Sequence, residues 1–294
     1  MLVELTRIVT ADGVPLDGAI ADAKGRKRAA VLFVHGLTST FSRSRALWES
    51  LARAGQHRGI GVAAFNTRGH DIIASYAIGG RRRKRYRTLG AALEDFRDCI
   101  HDLHSGIRFL KKRGYRRILL VGHSTGAQKT AYYLSQVRDR AVAGLVLAGP
   151  LSDVAIRQKQ LGKTFSRNIA AVERFAKRHG KTALLPPTLT WGYWSAQRYL
   201  SLFKPGNDED IFPYHNPKAR WTNFRRIHVP TLILIGARDE HLDRSAEELI
   251  AAFRAHAPER VRLHTLAISR AGHNFRRHEN AFSTSVIRWI ERTI

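Results

Sequence analysis

Ser124 lies at the centre of Gly122-His123-Ser124-Thr125-Gly126, and two further residues, Asp239 and His273, follow it in the order Ser, Asp, His. A serine hydroxyl is a weak nucleophile until a base takes its proton, and imidazole, which titrates near neutrality, suits that task. A carboxylate must then hold the imidazole in the correct tautomer and stabilise the imidazolium. Those three residue types therefore point to nucleophilic acyl chemistry. Asp153 is a second candidate for the acid, with capping of the helix that follows as its alternative role. His35 and His123 flank the serine motif and read as packing or hydrogen-bonding residues.

Such chemistry needs the three groups on one rim of a rigid scaffold. Ile118 to Val121 is an unbroken apolar run before Gly122, and a small-residue, helix-compatible segment follows Gly126. Strand, sharp turn and helix are what a nucleophile elbow requires, because the glycines permit a turn too tight for side chains on either flank. Leu2 to Thr10 and Val14 to Ala21 read as an N-terminal β-hairpin. Apolar runs at Ala29 to Val34, Gly61 to Phe65, Val142 to Ala148, Thr231 to Ile235 and Val261 to Ile268 read as strands, several buried on both faces. Helical patterns alternate with them. Leu93, Phe96, Ile100, Leu103, Ile107 and Leu110 make one apolar stripe, with Glu94, Asp95 and Asp98 near its start and Gly114 as its stop. Asp243 is placed to cap the helix whose buried face is Ala246, Leu249, Ile250 and Phe253. The polar motifs all fall just after strands, where open α/β sheets put their sites.

From Leu151 to Arg226 the strand pattern stops. A helical segment carrying Phe165, Ile169, Val172 and Phe175 leads into the aromatic stretch Trp191, Tyr193, Trp194, Tyr199 and Phe203. The organisation expected is a core of residues 1–150 and 227–294 with a mainly helical cap at 151–226. Trp191, Tyr193 and Trp194 are candidate walls of an apolar binding site, or else pins that hold the cap down.

Fifty Lys and Arg against 24 Asp and Glu leave a net charge of +26, which favours anionic partners. The basic run Arg81 to Arg87 reads as a solvated loop. With little aromatic interleaving and no nucleic-acid module, it speaks against a nucleic-acid partner and leaves membrane contact open without predicting it. A single cysteine, Cys99, excludes an intrachain disulfide and fits a reducing compartment. With no signal-peptide core at the N-terminus and no apolar run long enough to span a bilayer, a cytoplasmic protein is expected. His101 and His104, near Asp98 and Asp102, read as a solvated helix face, so no metal is expected.

Taken together, His35-Gly36-Leu37, Gly122-His123-Ser124-Thr125-Gly126, Gly236-Ala237-Arg238-Asp239 and Ala271-Gly272-His273 resemble the motifs of the α/β-hydrolase superfamily over nearly the whole chain. The resemblance implies a mostly parallel, doubly wound sheet, Ser124 as nucleophile, His273 as base and Asp239 as acid. It also implies an oxyanion hole from the backbone N–H groups of Leu37 and Thr125, a small-molecule ester substrate and no cofactor. A looser likeness, through Gly36-Leu37-Thr38, His123 to Gly126 and Pro150 to Asp153, is to the branch containing fungal siderophore esterases. His35 stands where that branch is expected to carry glycine. Carboxylic ester hydrolysis is the reaction expected, with thioester or amide cleavage, or polyanion or membrane binding without catalysis, as alternatives.

Overall fold

The computed structural model describes residues 1–78, 85–259 and 261–294. In chain order its strands and helices are β1 (Glu4–Val9), β2 (Pro15–Ala21), β3 (Ala29–Val34), α1 (Arg45–Gly55), β4 (Ile60–Phe65), β5 (Ala74–Ile78), β6 (Arg85–Leu89), α2 (Cys99–Lys112), β7 (Ile118–His123), α3 (Thr125–Gln136) and β8 (Val142–Ala148). There follow α4 (Asp153–Leu161), α5 (Phe165–His179), α6 (Ala196–Phe203), α7 (Thr222–Arg225), β9 (Thr231–Gly236), α8 (Ala246–Ala255), β10 (Leu263–Ile268) and α9 (Glu279–Thr293).

Strand β3 shows why the chain takes a layered form. Ala30, Leu32 and Val34 face one apolar layer, and Ala29, Val31 and Phe33 face the other. A strand with no polar face must be covered twice. Leu103, Ile107 and Leu110 of α2, Ala127 and Ala131 of α3, and Leu249 and Phe253 of α8 pack in the first layer. Leu47, Trp48 and Leu51 of α1 and Phe282, Val286 and Ile290 of α9 fill the second. The sheet order is β1-β2-β4-β3-β7-β8-β9-β10, parallel from β4 to β10, with β1 and β2 as an antiparallel hairpin at one edge. All the parallel strands thus end on one rim.

Several local expectations need correction. Helix α2 begins at Cys99, later than the stripe from Leu93 predicts, because Asp95 is extended and its side chain accepts from Arg97 N to start a 3₁₀ turn. Helix α8 is capped by Ser245 in a reciprocal box with Glu248, while Asp243 pairs with Arg244 at 2.9 Å. Helix α4 is capped by Ser152 and not by Asp153. The described part of the basic run is strand and not loop. Arg81 to Lys84 lie outside the described residues, and Arg85 to Arg87 belong to β6, paired with β5. Arg87 donates to Asp12 at 3.0 Å and to Asp98 at 3.5 Å, so its charge is matched.

The segment between β8 and β9 divides. Val154, Phe165, Ile169, Val172, Trp194, Tyr199 and Leu202 form their own cluster over Ala91. Phe212, Trp221 and Phe224 pack instead in the main core, with Phe253 of α8. Trp221 is therefore a core residue. Among the described residues no helix is long and apolar enough to cross a membrane.

A buried ionic chain joins this segment to the sheet. Glu94, read from sequence as a helix-dipole charge, is fully buried and accepts from Lys129 Nζ at 2.8 Å. Arg198 Nη2 of α6 lies 3.2 Å from its other oxygen, and Arg198 also pairs with Glu209. Removing one partner from such a set leaves an uncompensated buried charge. Glu94→Gln is therefore expected to lower the unfolding free energy by about 3–5 kcal/mol. Guanidinium unfolding measures this, and a loss under about 1 kcal/mol, the scale of a surface pair, would count against it.

Candidate active site

Strand β7 carries the chain straight into Ser124, whose backbone sits at φ 56°, ψ −127°. A non-glycine residue rarely adopts this conformation, which is strained by about 1–3 kcal/mol. Its flanks have no room for side chains. A Cβ on Gly122 would meet Gly126 O at 2.2 Å, and one on Gly126 would meet Val34 O at 2.2 Å. The turn ends at the first residue of α3, so Ser124 stands at a helix N-terminus on the rim of the sheet.

His273 reaches the same place from the loop after β10, and Asp239 from the loop after β9. His273 Nδ1 donates to Asp239 Oδ2 at 2.7 Å, and both side chains are buried. That bond leaves Nε2 as the free basic nitrogen. The other Asp239 oxygen accepts from His241 N at 2.9 Å, and His273 N donates to Glu240 Oε2 at 2.9 Å. The loop after β9 therefore grips His273 at side chain and backbone together. Ser124 Oγ makes no hydrogen bond among the described residues. It lines one cavity with His273, Gly36, Leu37 and Thr125.

The other histidines of the motifs do different work. His35 Nε2 accepts from Thr67 N at 3.0 Å and Nδ1 donates to Gly36 O at 2.9 Å, which ties the loop after β3 to the loop after β4. Burial, followed by the nearby Lys129 charge, pushes its pKa down to about 3. His123 Nε2 donates to His273 O at 2.9 Å, and burial, followed by the neighbouring His273, lowers its pKa to about 4. Both are neutral structural imidazoles at ordinary pH.

The amides of Leu37 and Thr125 donate to no protein acceptor among the described residues. A Cβ on Gly36 would meet Ser124 Oγ at 3.3 Å, so the loop that carries Leu37 abuts the serine. The cavity measures about 730 Å³, room for a drug-sized ligand. Trp191 and Trp194 line it, Trp191 being 65% exposed and Trp194 buried. Tyr193 is 64% exposed and is not part of the lining. Asp153 also lines the cavity, but its Oδ2 accepts from Gln128 Nε2 at 2.7 Å and it makes no hydrogen bond to His273. Burial, then the Glu209 carboxylate, pushes the Asp153 carboxyl up to about 7.

The sequence held signals for some of what was missed. Gln128 follows Ser124 by four residues, which puts it on the serine's side of α3. Glu240 and His241 adjoin Asp239 and announce themselves only by contact. A second Ser-His-Asp set exists in Ser152, His215 and Asp210, with Ser152 Oγ 3.3 Å from His215 Nδ1 and His215 Nε2 3.7 Å from Asp210. Ser152 is buried and its hydroxyl caps α4, so this set is structural. Among the described residues no group of three or more His, Cys, Asp or Glu is arranged to hold a metal ion.

Solved structures that share this architecture include the esterase Pf2001 of Pyrococcus furiosus, with a TM-score of 0.59 and 21% identity over 99% of this chain and 91% of that one. Est1E of Butyrivibrio proteoclasticus, solved with ferulic acid bound, gives 0.66 and 16% over 98% and 99%. The siderophore hydrolase EstB of Aspergillus fumigatus gives 0.65 and 18% over 99% and 98%. The fold is that of the α/β-hydrolases. A search of curated proteins finds no match. One family model, described as "Protein of unknown function (DUF1749)", matches residues 19–293.

Proposed function

The chain belongs to the family described as "Protein of unknown function (DUF1749)", and we propose that it is a serine hydrolase that cleaves carboxylic esters through an acyl-enzyme on Ser124. The observation that carries this reading is the convergence of Ser124 and the His273–Asp239 pair on one cavity, each from the end of a different strand. That the fold neighbours include the esterase Pf2001 and the siderophore hydrolase EstB supports it.

His273 Nε2 takes the proton of Ser124 Oγ as the oxygen attacks the acyl carbonyl. Asp239 holds Nδ1–H and stabilises the imidazolium that forms. The free amides of Leu37 and Thr125 receive the oxyanion, an interaction worth about 3 kcal/mol per donor. His273 then returns its proton to the leaving alcohol. Water, activated by the same nitrogen, attacks the acyl-enzyme and releases the acid. No step calls for a metal or organic cofactor. Within residues 151–226, the part clustered around Phe165, Val172 and Tyr199 acts as a cap whose Trp191 and Trp194 limit what reaches the serine. Bound ferulic acid in one neighbour and the siderophore substrate named for another make bulky esters the first to try.

The test is a panel of matched ester, thioester and anilide substrates, varied in acyl length and alcohol bulk, run beside fluorophosphonate labelling. Ester turnover with one label per chain, on Ser124, is the expected result. A preference for the anilide, or labelling at another residue, would overturn this reading.

A further inference from the structure

Gln128 and Asp153 lie in the wall of the Ser124 cavity, and the reaction just described uses neither. Gln128 is 3% exposed, and its Nε2 is committed to Asp153 Oδ2 at 2.7 Å. In its ionised form the Asp153 carboxylate only accepts, so this bond turns Nε2 of the amide towards it. The amide oxygen Oε1 is then left buried with no protein partner. An unpaired buried acceptor is costly and calls for a donor. Asp153 is only partly buried and lines the same cavity. Asp153 Oδ2 is occupied by Gln128, and Oδ1 accepts from no protein donor among the described residues. Gln128 lies one helical turn from Ser124, about 6 Å along α3, and Asp153 at the start of α4 is bonded to it.

We propose that Gln128 and Asp153 form a subsite for a hydrogen-bond-donating group of the substrate, a hydroxyl or an ammonium, held close to the scissile carbonyl. The inference rests on Ser124 being the reacting residue only for the meaning of that distance. Neutral donors satisfy Gln128 Oε1, and a cationic donor adds attraction to Asp153. The titratable groups about that carboxylate are Glu209, Arg198 and His273. The carboxyl lies above its ordinary range through burial and Glu209, so a bound donor supplies the compensation the site lacks. An alkyl end group would leave both acceptors dry and unpaired, which disfavours it more than the donor is favoured.

The test is direct binding to the Ser124→Ala protein, which retains ester ligands. Ethyl hexanoate, ethyl 6-hydroxyhexanoate and ethyl 6-aminohexanoate are compared, with a second series carrying the same end groups on the alcohol. In at least one series a donor-bearing ligand is expected to bind about 10- to 100-fold more tightly than its alkyl counterpart. Asp153→Asn and Gln128→Leu are each expected to shrink that ratio by on the order of tenfold. A merely structural role would lower the melting temperature and weaken every ligand alike, and the ratio would not move. Equal affinity for alkyl and donor-bearing ligands, or a ratio unchanged in both variants, overturns the proposal. Hydrolysis of ethyl hexanoate by the parent protein is read separately. If it fails while binding selectivity holds, the ester-hydrolase reading falls and the subsite stands.

Discussion

Ser124→Ala is expected to lower ester turnover by about 10⁶-fold, while Ser124→Gly removes the same activity and makes the protein more stable. The first effect follows from losing the nucleophile of a unit whose members act together. What survives, on the order of 10³-fold over water, comes from the oxyanion donors and substrate binding. The second follows from the backbone. Ser124 is held at φ 56°, ψ −127°, a conformation that glycine adopts without the side-chain penalty. Relief of that strain, set against the greater freedom of glycine in the unfolded chain, leaves a net gain of about 1 kcal/mol. For a chain of this size the melting temperature then rises by about 2 °C. Ser124→Ala keeps the strain and is the control. Steady-state kinetics and calorimetry on the three proteins give both numbers. A Ser124→Gly protein less stable than Ser124→Ala would mean that the turn is not strained as its dihedral angles imply.

The sheet was legible in the sequence because its strands are buried on both faces, and an unbroken apolar run has little else to be. Ala29 to Val34 and Val142 to Ala148 match β3 and β8 residue for residue. The positions of Ser124, Asp239 and His273 at strand ends were legible for the same reason. What failed were readings of isolated charges. Glu94 carries the local signature of a dipole-matching residue, and nothing nearby in sequence announces that Lys129 and Arg198 converge on it. Arg87 reads as part of a solvated run, but Asp12, from a turn far earlier in the chain, reaches it. Burial of a charge is decided by partners distant in sequence, whereas burial of an apolar face is written in its own periodicity. Trp221 is likewise placed by a partner distant in sequence. Its segment falls in the interruption between strands, yet it stacks on His256 at the end of α8, with ring centroids 4.5 Å apart, and joins the main core.

Asp239→Asn is expected to lower kcat/KM at neutral pH by on the order of 10⁴-fold, with little change in fold. An asparagine in place of Asp239 presents either its oxygen or its amide nitrogen to His273 Nδ1. With the amide nitrogen there, Nδ1 must be the acceptor, Nε2 carries the proton, and the base is lost. With the oxygen there the tautomer is correct, but the imidazolium formed in the transition state has no opposing charge. Both cases raise the barrier, and the second alone explains why an amide is no substitute. The surrounding bonds favour retention of the loop, because His241 N still finds an oxygen or solvent, and Glu240 still receives His273 N. The same experiment decides between the two carboxylates near the serine. Asp153 is bonded to Gln128 and makes no hydrogen bond to His273, whereas Asp239 Oδ2 lies 2.7 Å from His273 Nδ1. A 10⁴-fold loss from Asp153→Asn, with Asp239→Asn close to the parent, would reverse the assignment. It would require the loop after β8, and not the loop after β9, to deliver the acid during turnover.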